Sequence, residues 1–439
     1  MINEIQQGRK GSPLIVPISL LLLCALAYGL LIPTLGYYWD DWPYAYINHM
    51  FGPGGYPEFV SSDRPHSAWI FIGLTTILGE NPLGYHLSSL FFFWSCAVLF
   101  WILLRTLWPQ RKKEALWGAL LFTVYPGFLG HPNAIIYNHH YIAMGLYFFS
   151  MIGMVKAVQG GRKAWPWHIP AVLAMSLSQF SIEYFIGWES ARLVMVWYLV
   201  SQRKTPFISR IKTALLHLFP YGLGTLGFLL WRVAVFGFPT YQPLGGGEVD
   251  PVSERFVFTI IRETLDAVLF VWRRAFPHLE SDPFSRAFWL IYLGLSLLTT
   301  LLVLLLLLSH SHQDSELREK QEAGKDGFGR FGILIALAGI LTAGWPFWLT
   351  GLSVSIRGFY SRFTLAFISW AVLLLITILH LVEKWLFSKR SILIIVFVAL
   401  LVGGSAGWQL WNANQYRNDW QELQRYMNEM VHRIPGLEP

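Results

Sequence analysis

Ser67 to Gly79 reads SAWIFIGLTTILG. The run is apolar, yet it has only about two-thirds of the roughly 20 residues that a bilayer-crossing helix needs. Its assignment decides the topology of everything after it. If it crosses the membrane, Arg105, Arg111, Lys112 and Lys113 fall on the outer side and every later loop inverts. If it stays on one side, the basic residues sort cleanly, so we read it as an interfacial or re-entrant helix.

The chain around it has 439 residues, 54% of them hydrophobic and only 13% charged. Soluble domains carry about 25% charged residues, and several apolar runs here are long enough to span a bilayer. The expected fold is an all-α polytopic membrane protein with eleven spans: 14–33, 84–107, 114–130, 136–156, 166–182, 185–200, 213–236, 287–308, 331–350, 364–383 and 391–411. The first follows a polar stretch holding Arg9 and Lys10 and is too long for a cleaved leader, so it reads as a retained signal anchor. In this arrangement all eleven lysines fall on one side and the other side carries arginine alone. The positive-inside rule then puts the N-terminus in the cytoplasm and the C-terminus outside. Cys24 and Cys96 both lie in apolar runs and suggest neither a disulfide nor zinc. The net charge of +7 follows topology and does not point to nucleic acid.

Four regions follow: a transmembrane module over 1–236, with its first external segment at 36–83; an external loop over 237–286; further spans over 287–411; and a short external tail over 412–439. The loop carries Gly245-Gly246-Gly247 and an amphipathic helix from Glu254 to Arg274, expected to lie flat on the membrane with Glu263 on its polar face. The tail is expected to form a separate amphipathic helix. The polar stretch 309–330, with His310 and His312, reads as a solvated linker.

The ionisable residues near membrane depth gather on the expected outer side, where charge is expensive and tends to mark a site. Asp40 and Asp41 sit side by side among Trp39, Trp42 and Tyr44, and Asp63-Arg64-Pro65-His66 closes the same segment. His131, Asn138, His139, His140 and Glu183 lie at the outer ends of later spans, and Arg357, Tyr360 and Arg362 in a further outer loop. Carboxylates can take a proton from a hydroxyl, arginines can hold a phosphate, and aromatic rings can stack on sugars. Together these suit transfer of a group from a lipid phosphate to an alcohol. Each residue also has a plainer role open to it. His139 and His140 would cap or brace a helix start, His131 would be an ordinary loop residue, Glu183 would pair with Arg192 or another arginine, and Arg357 and Arg362 would anchor the boundary. Glu189 and Arg192, three apart within one span, read as a structural pair. There is no phosphate-binding GxxxxGK[ST] loop, no GxSxG elbow and no HExxH helix.

A first span, an acid pair just beyond it, and then Asp63-Arg64-Pro65-His66-Ser67-Ala68-Trp69 before a short helix resembles the GT-C superfamily of membrane glycosyltransferases. It is most similar to the branch of protein O-mannosyltransferases and lipid A aminoarabinose transferases. The resemblance covers roughly residues 10 to 235. It implies an inverting transferase that takes a sugar from a polyprenyl-phosphate donor and passes it to a glycan, lipid or protein hydroxyl on the outer face of the cell membrane. Asp40 or Asp41 would be the base. No cofactor is expected; if a divalent ion such as Mg²⁺ or Mn²⁺ is used, those two carboxylates would meet it. Asp41 stands where the family commonly has Glu, a single Pro65 where it has a pair, and arginine must replace the external lysine of some relatives. Two other classes stay open: a transporter or flippase, and an envelope oligosaccharide polymerase or ligase.

Overall fold

The computed structural model describes residues 14–236, 254–276, 286–318, 327–385 and 391–433. The triple glycine at 245–247, the basic residues Arg9 and Lys10, and the last six residues of the tail lie outside these. Sixteen α-helices follow one another: α1 (Ile15–Cys24), α2 (Asp41–Phe51), α3 (Tyr56–Phe59), α4 (Ala68–Leu78), α5 (Pro82–Leu107), α6 (Lys112–Thr123), α7 (Ala134–Gln159), α8 (His168–Ser181), α9 (Glu189–Ser201), α10 (Phe207–Leu230), α11 (Glu254–Val268), α12 (Arg286–Arg318), α13 (Phe328–Ala343), α14 (Trp345–Trp348), α15 (Ile368–Trp385) and α16 (Ser391–Arg433). Among the described residues there is no strand.

Among the described residues, eight helical stretches are long and apolar enough to cross a membrane, beginning at Ile15, Pro82, Ala134, Phe207, Trp289, Phe328, Ile368 and Ile392. They coincide with eight of the eleven expected spans, so the chain is an α-helical integral membrane protein. The other three are shorter than expected as α-helices. α6 stops at Thr123 because Pro126, Gly127, Gly130 and Pro132 follow, and the chain runs irregularly to α7. α8 and α9 are each preceded by a 3-10 segment, Gly161–Trp167 and Glu183–Trp188, which lengthens the helical path without extending the α-helix. The decisive stretch is helical and short: Pro65–Leu78 is an apolar segment of about 20 Å at 1.5 Å per residue.

α7 is the axis of the bundle. It packs against α5 and α8, and nearly all of its residues are buried. Asn138 Nδ2 donates to the Tyr85 carbonyl near the start of α5 (3.1 Å), and Gln159 Nε2 donates to the Thr106 carbonyl near its end (2.9 Å). The two helices therefore run parallel in a bundle with two ends. One holds Asp40 and Asp41. The other holds Lys113 paired with Glu383, and His380 Nδ1 2.9 Å from Glu114. α12 and α16 approach closely because Gly403, Gly404 and Gly407 face Thr300, Ala275 and Ser296, where any β-carbon would collide.

Two expectations fail here. The helix beginning at Glu254 packs its C-terminal end into the bundle, and its expected polar face is not all solvated. Ala267, Val268, Val271 and Trp272 are buried, and Glu263, assigned to the polar face, is 4% exposed and accepts from Trp348 Nε1 and the Val354 amide (both 2.8 Å). A hydrogen-bonded carboxylate can be buried, and helical periodicity alone does not reveal that partner. The tail is not a separate element either: α16 runs unbroken from Ser391 to Arg433. Its Trp420 packs on Tyr38, Trp42 and the backbone of Gly36. A β-carbon on Gly36 would lie 2.2 Å from the Trp420 ring. Gly36→Ala is therefore expected to lift this part of α16 off the first loop, at about 1–3 kcal/mol. Faster proteolysis of the C-terminal segment and a red-shifted tryptophan emission are the checks.

Candidate active site

The sequence between α1 and α2 makes a tight turn. The Asp41 amide donates to the Tyr38 carbonyl (2.8 Å), and Trp39 adopts φ 47°, the single left-handed non-glycine residue among the described ones. Such a conformation costs about 1–3 kcal/mol and persists where the surroundings enforce it. Trp39 is held by stacking on Phe359 at 5.3 Å, nearly parallel. The adjacent acids that follow have different environments.

Asp41 is fully buried. Its Oδ1 accepts from the Ile135 and Ile136 amides (both 3.0 Å), so it caps the N-terminus of α7 from 94 residues away in sequence. Asp40 lines a cavity of about 780 Å³ instead. Its Oδ2 lies 3.2 Å from Arg362 Nη1. Burial raises the proton affinity of Asp40, and Arg362 and then Arg64 offset part of that rise. Of the two carboxylates, either of which was a candidate base, only Asp40 lines the cavity.

The same cavity gathers Asp63, Arg64, Glu183, Arg232 and Arg362. Arg64 makes a two-pronged contact with Glu183, Nη2 to Oε1 at 2.6 Å and Nε to Oε2 at 3.2 Å, and also reaches Asp63 Oδ2 at 2.5 Å. Burial opposes ionisation of Glu183, but Arg64 holds its carboxyl down at about 2. Arg232 Nη1 donates to the Asp63 carbonyl (2.9 Å), and its Nη2 is 3.9 Å from Glu183. The Arg362 guanidinium rests on the Phe359 ring at 3.6 Å and is 4.9 Å from that of Phe363. Three carboxylates and three guanidiniums therefore line one cavity. The same cavity is also lined by apolar side chains, among them Phe228, Leu229, Val233, Trp345 and Leu349.

Arg64→Leu should leave the partly buried Glu183 with only the longer 3.9 Å approach of Arg232. Breaking such a pair costs about 3–5 kcal/mol. A large fall in thermal midpoint is the expected result, with partial recovery in Arg64→Leu/Glu183→Leu.

The remaining predicted site residues lie elsewhere. Trp42 is on the first-loop surface against Trp420, and Trp39 reaches the cavity only through Phe359. His66 packs between Phe180 and Trp231. His131 is enclosed by Tyr28, Phe93 and Phe128, and its Nδ1 shares a hydrogen bond with the Tyr141 hydroxyl (2.8 Å). Asn138 ties α7 to α5, through Tyr85 and Ser88. His139 Nε2 donates to the Ser181 carbonyl (2.9 Å), joining α7 to α8. Asn138 and His139 are buried, His131 is partly so, and each meets a polar partner within the protein, a role that hydropathy alone cannot distinguish from a substrate contact; His66 is exposed. Arg357 and Tyr360 are exposed and do not line the cavity. His140 does line it, and its Nδ1 donates to the Ile136 carbonyl (3.0 Å). Glu183 pairs with Arg64, not Arg192; Arg192 pairs with Glu189 at 2.9 Å.

Sequence reasoning missed Arg232, Tyr137 and Phe359. A lone arginine at the end of a long apolar run was the available signal for Arg232; the two aromatics had none. Among the described residues, the one group of three His or acid side chains close enough to share a metal is Glu114, His380 and Glu383, at the lysine end. Lys113 is already ion-paired with Glu383 there, so the group forms an ion-pair network and does not resemble an open ligand set. No protein-family model, curated protein or solved structure matches this chain.

Proposed function

We propose that the protein is a membrane glycosyltransferase that moves a sugar from a polyprenyl-phosphate donor to an acceptor hydroxyl, with inversion. One observation carries this reading: Asp40 stands in a cavity that is also lined by Arg64, Arg232 and Arg362 and by apolar wall residues such as Phe228, Leu229 and Trp345. A carboxylate beside guanidiniums suits a reaction that removes a proton at one atom and releases a phosphate at another. The apolar lining suits the prenyl chain.

In this mechanism Asp40 takes the proton from the acceptor hydroxyl as its oxygen attacks the anomeric carbon. The bond from that carbon to the phosphate oxygen breaks, and the electron pair leaves on the polyprenyl phosphate. Guanidinium groups stabilise the charge that develops on the departing phosphate. Asp41 holds the N-terminus of α7 and takes no part in proton transfer. The reaction as written needs no metal; loss of activity in chelator, restored by Mg²⁺ or Mn²⁺, would overturn that.

The topology we propose keeps eleven crossings, with α6, α8 and α9 as the short ones, and places the Asp40 end outside the cytoplasm. Single cysteines at Ser62 and Lys325 should react with an impermeant reagent from opposite sides. Reaction from the same side refutes the orientation. The activity is tested in nanodiscs with polyprenyl-phosphate sugars, by following acceptor-dependent release of polyprenyl phosphate. No release with any hexose or pentose donor across glycan, lipid and peptide acceptors would sink the assignment and leave the transporter class standing.

A further inference from the structure

The cavity's charges balance, three carboxylates against three guanidiniums, so an incoming phosphate must draw a guanidinium away from a carboxylate that already holds it. The three arginines are not equally held. Arg64 is gripped by Glu183 through two contacts and by Asp63 through a third. Arg232 is tied to the Asp63 backbone and flanked by Glu183. Arg362 has a single 3.2 Å contact, to Asp40, and its buried Nε has no hydrogen-bond partner among the described residues. Its guanidinium lies on the flat face of Phe359, a support that lets the group slide without losing contact.

We propose that Arg362 makes Asp40 available only when a phosphate is present: ion-paired to Asp40 in the empty cavity, it transfers to the phosphate of the donor and releases the carboxylate for the acceptor hydroxyl. The proposal rests on the glycosyltransferase reading for its biological meaning, but its physical content is competition between a carboxylate and a phosphate for one guanidinium. Arg362 thereby acts as a positioning residue for the base as well as a contact to the leaving group, and it imposes an order in which donor binding precedes acceptor activation. Phe359 supports it, and Trp39 braces Phe359 from the same turn that carries Asp40.

The test is a double-mutant cycle on binding, which needs no turnover. Full-length protein in nanodiscs of neutral phospholipid is titrated with polyprenyl phosphate, and in a parallel arm with inorganic phosphate. In the background with Arg362 intact, Asp40→Asn frees the guanidinium and should tighten polyprenyl-phosphate binding by about tenfold, within the usual range for coupled sites. In the Arg362→Gln background the same change should have a much smaller effect. Equal tightening in both backgrounds would mean simple charge repulsion, and unchanged or weaker binding in Asp40→Asn would mean no competition; either overturns the proposal. If Arg362→Gln does not assemble, Arg362→Lys provides the second background. There the coupling should shrink, because lysine lacks the planar contact with Phe359, and full coupling would again count against it. Inorganic phosphate reproducing the cycle identifies the phosphate alone as the trigger; an effect confined to the lipid form shows that the prenyl chain seats it. Both support the competition. A wild-type transfer rate with an additive cycle defeats this inference alone, and an intact cycle without transfer defeats the enzyme reading alone.

Discussion

Asp40→Asn is expected to abolish sugar transfer while leaving the protein assembled. General-base catalysis contributes typically 10²–10⁴-fold, so a fall of about that size is the expected loss. The side chain keeps its shape, and Asp40 contributes one ion pair, to Arg362, with 43% of its own side chain exposed. Exposed or half-exposed pairs of this kind contribute about 1 kcal/mol or less, so the thermal midpoint should move little. The measurement is release of polyprenyl phosphate in the presence of acceptor, alongside thermal unfolding of the same preparation. A variant that transfers at the wild-type rate would remove Asp40 from the chemistry. A variant that fails to assemble would show that the Arg362 contact matters more to the fold than its exposure suggests.

Asp41 is expected to behave in the opposite way. Asp41→Asn retains an oxygen that can accept from the Ile135 and Ile136 amides, so it should assemble and keep most of its activity. Asp41→Leu removes that acceptor and leaves two buried donors unpaired. Each such loss costs about 1–3 kcal/mol, and the start of α7 should fray. Because α7 also carries Tyr137 and His140 into the cavity, activity should fall with stability in this variant. Burial lifts the Asp41 carboxyl from 3.8 to about 8, although the amides of Ile136, Ile135 and Ala134 pull it down. The folded state therefore binds more protons than the unfolded chain between those values. The stabilisation tied to the protonated form is complete below the ordinary carboxylate range and is lost as pH rises toward 8. Wild-type protein should lose stability between pH 5 and 8, and Asp41→Asn should flatten that slope. An identical slope in the two proteins would show that Asp41 does not titrate there.

The contrast between these neighbours shows how far sequence reading carries. The segment 36–66 was identifiable as a site because paired acids at the boundary of an apolar run are costly. Asp40, Asp63, Arg64, Glu183 and Arg362 do meet in one cavity. Asn138 and His139 carried the same signal and instead join α7 to α5 and α8, while His66 and His131 pack among aromatic rings away from the cavity. A buried histidine or asparagine needs a partner whether or not a substrate is near, and a one-dimensional pattern does not name the partner. Arg232 was hidden for the converse reason: it sits at the end of a long apolar run, remote in sequence from every acid it approaches.

What the sequence by itself determined is the class of molecule and the placing of its elements. Hydropathy over about 20 residues is a local quantity, so the eight long spans, the short segment at 65–78 and the sorting of lysine from arginine could be read from the chain alone. Proline and glycine are local signals too, and the run from Pro126 to Pro132 that ends α6 was visible in the letters, though its consequence was not drawn. Only the tertiary structure decided which of two adjacent carboxylates faces the cavity. That choice depends on the left-handed turn at Trp39, on α7 amides 94 residues away, and on an arginine 322 residues along the chain. Contacts at such separations are set by packing of the whole bundle, and no window along the sequence contains them.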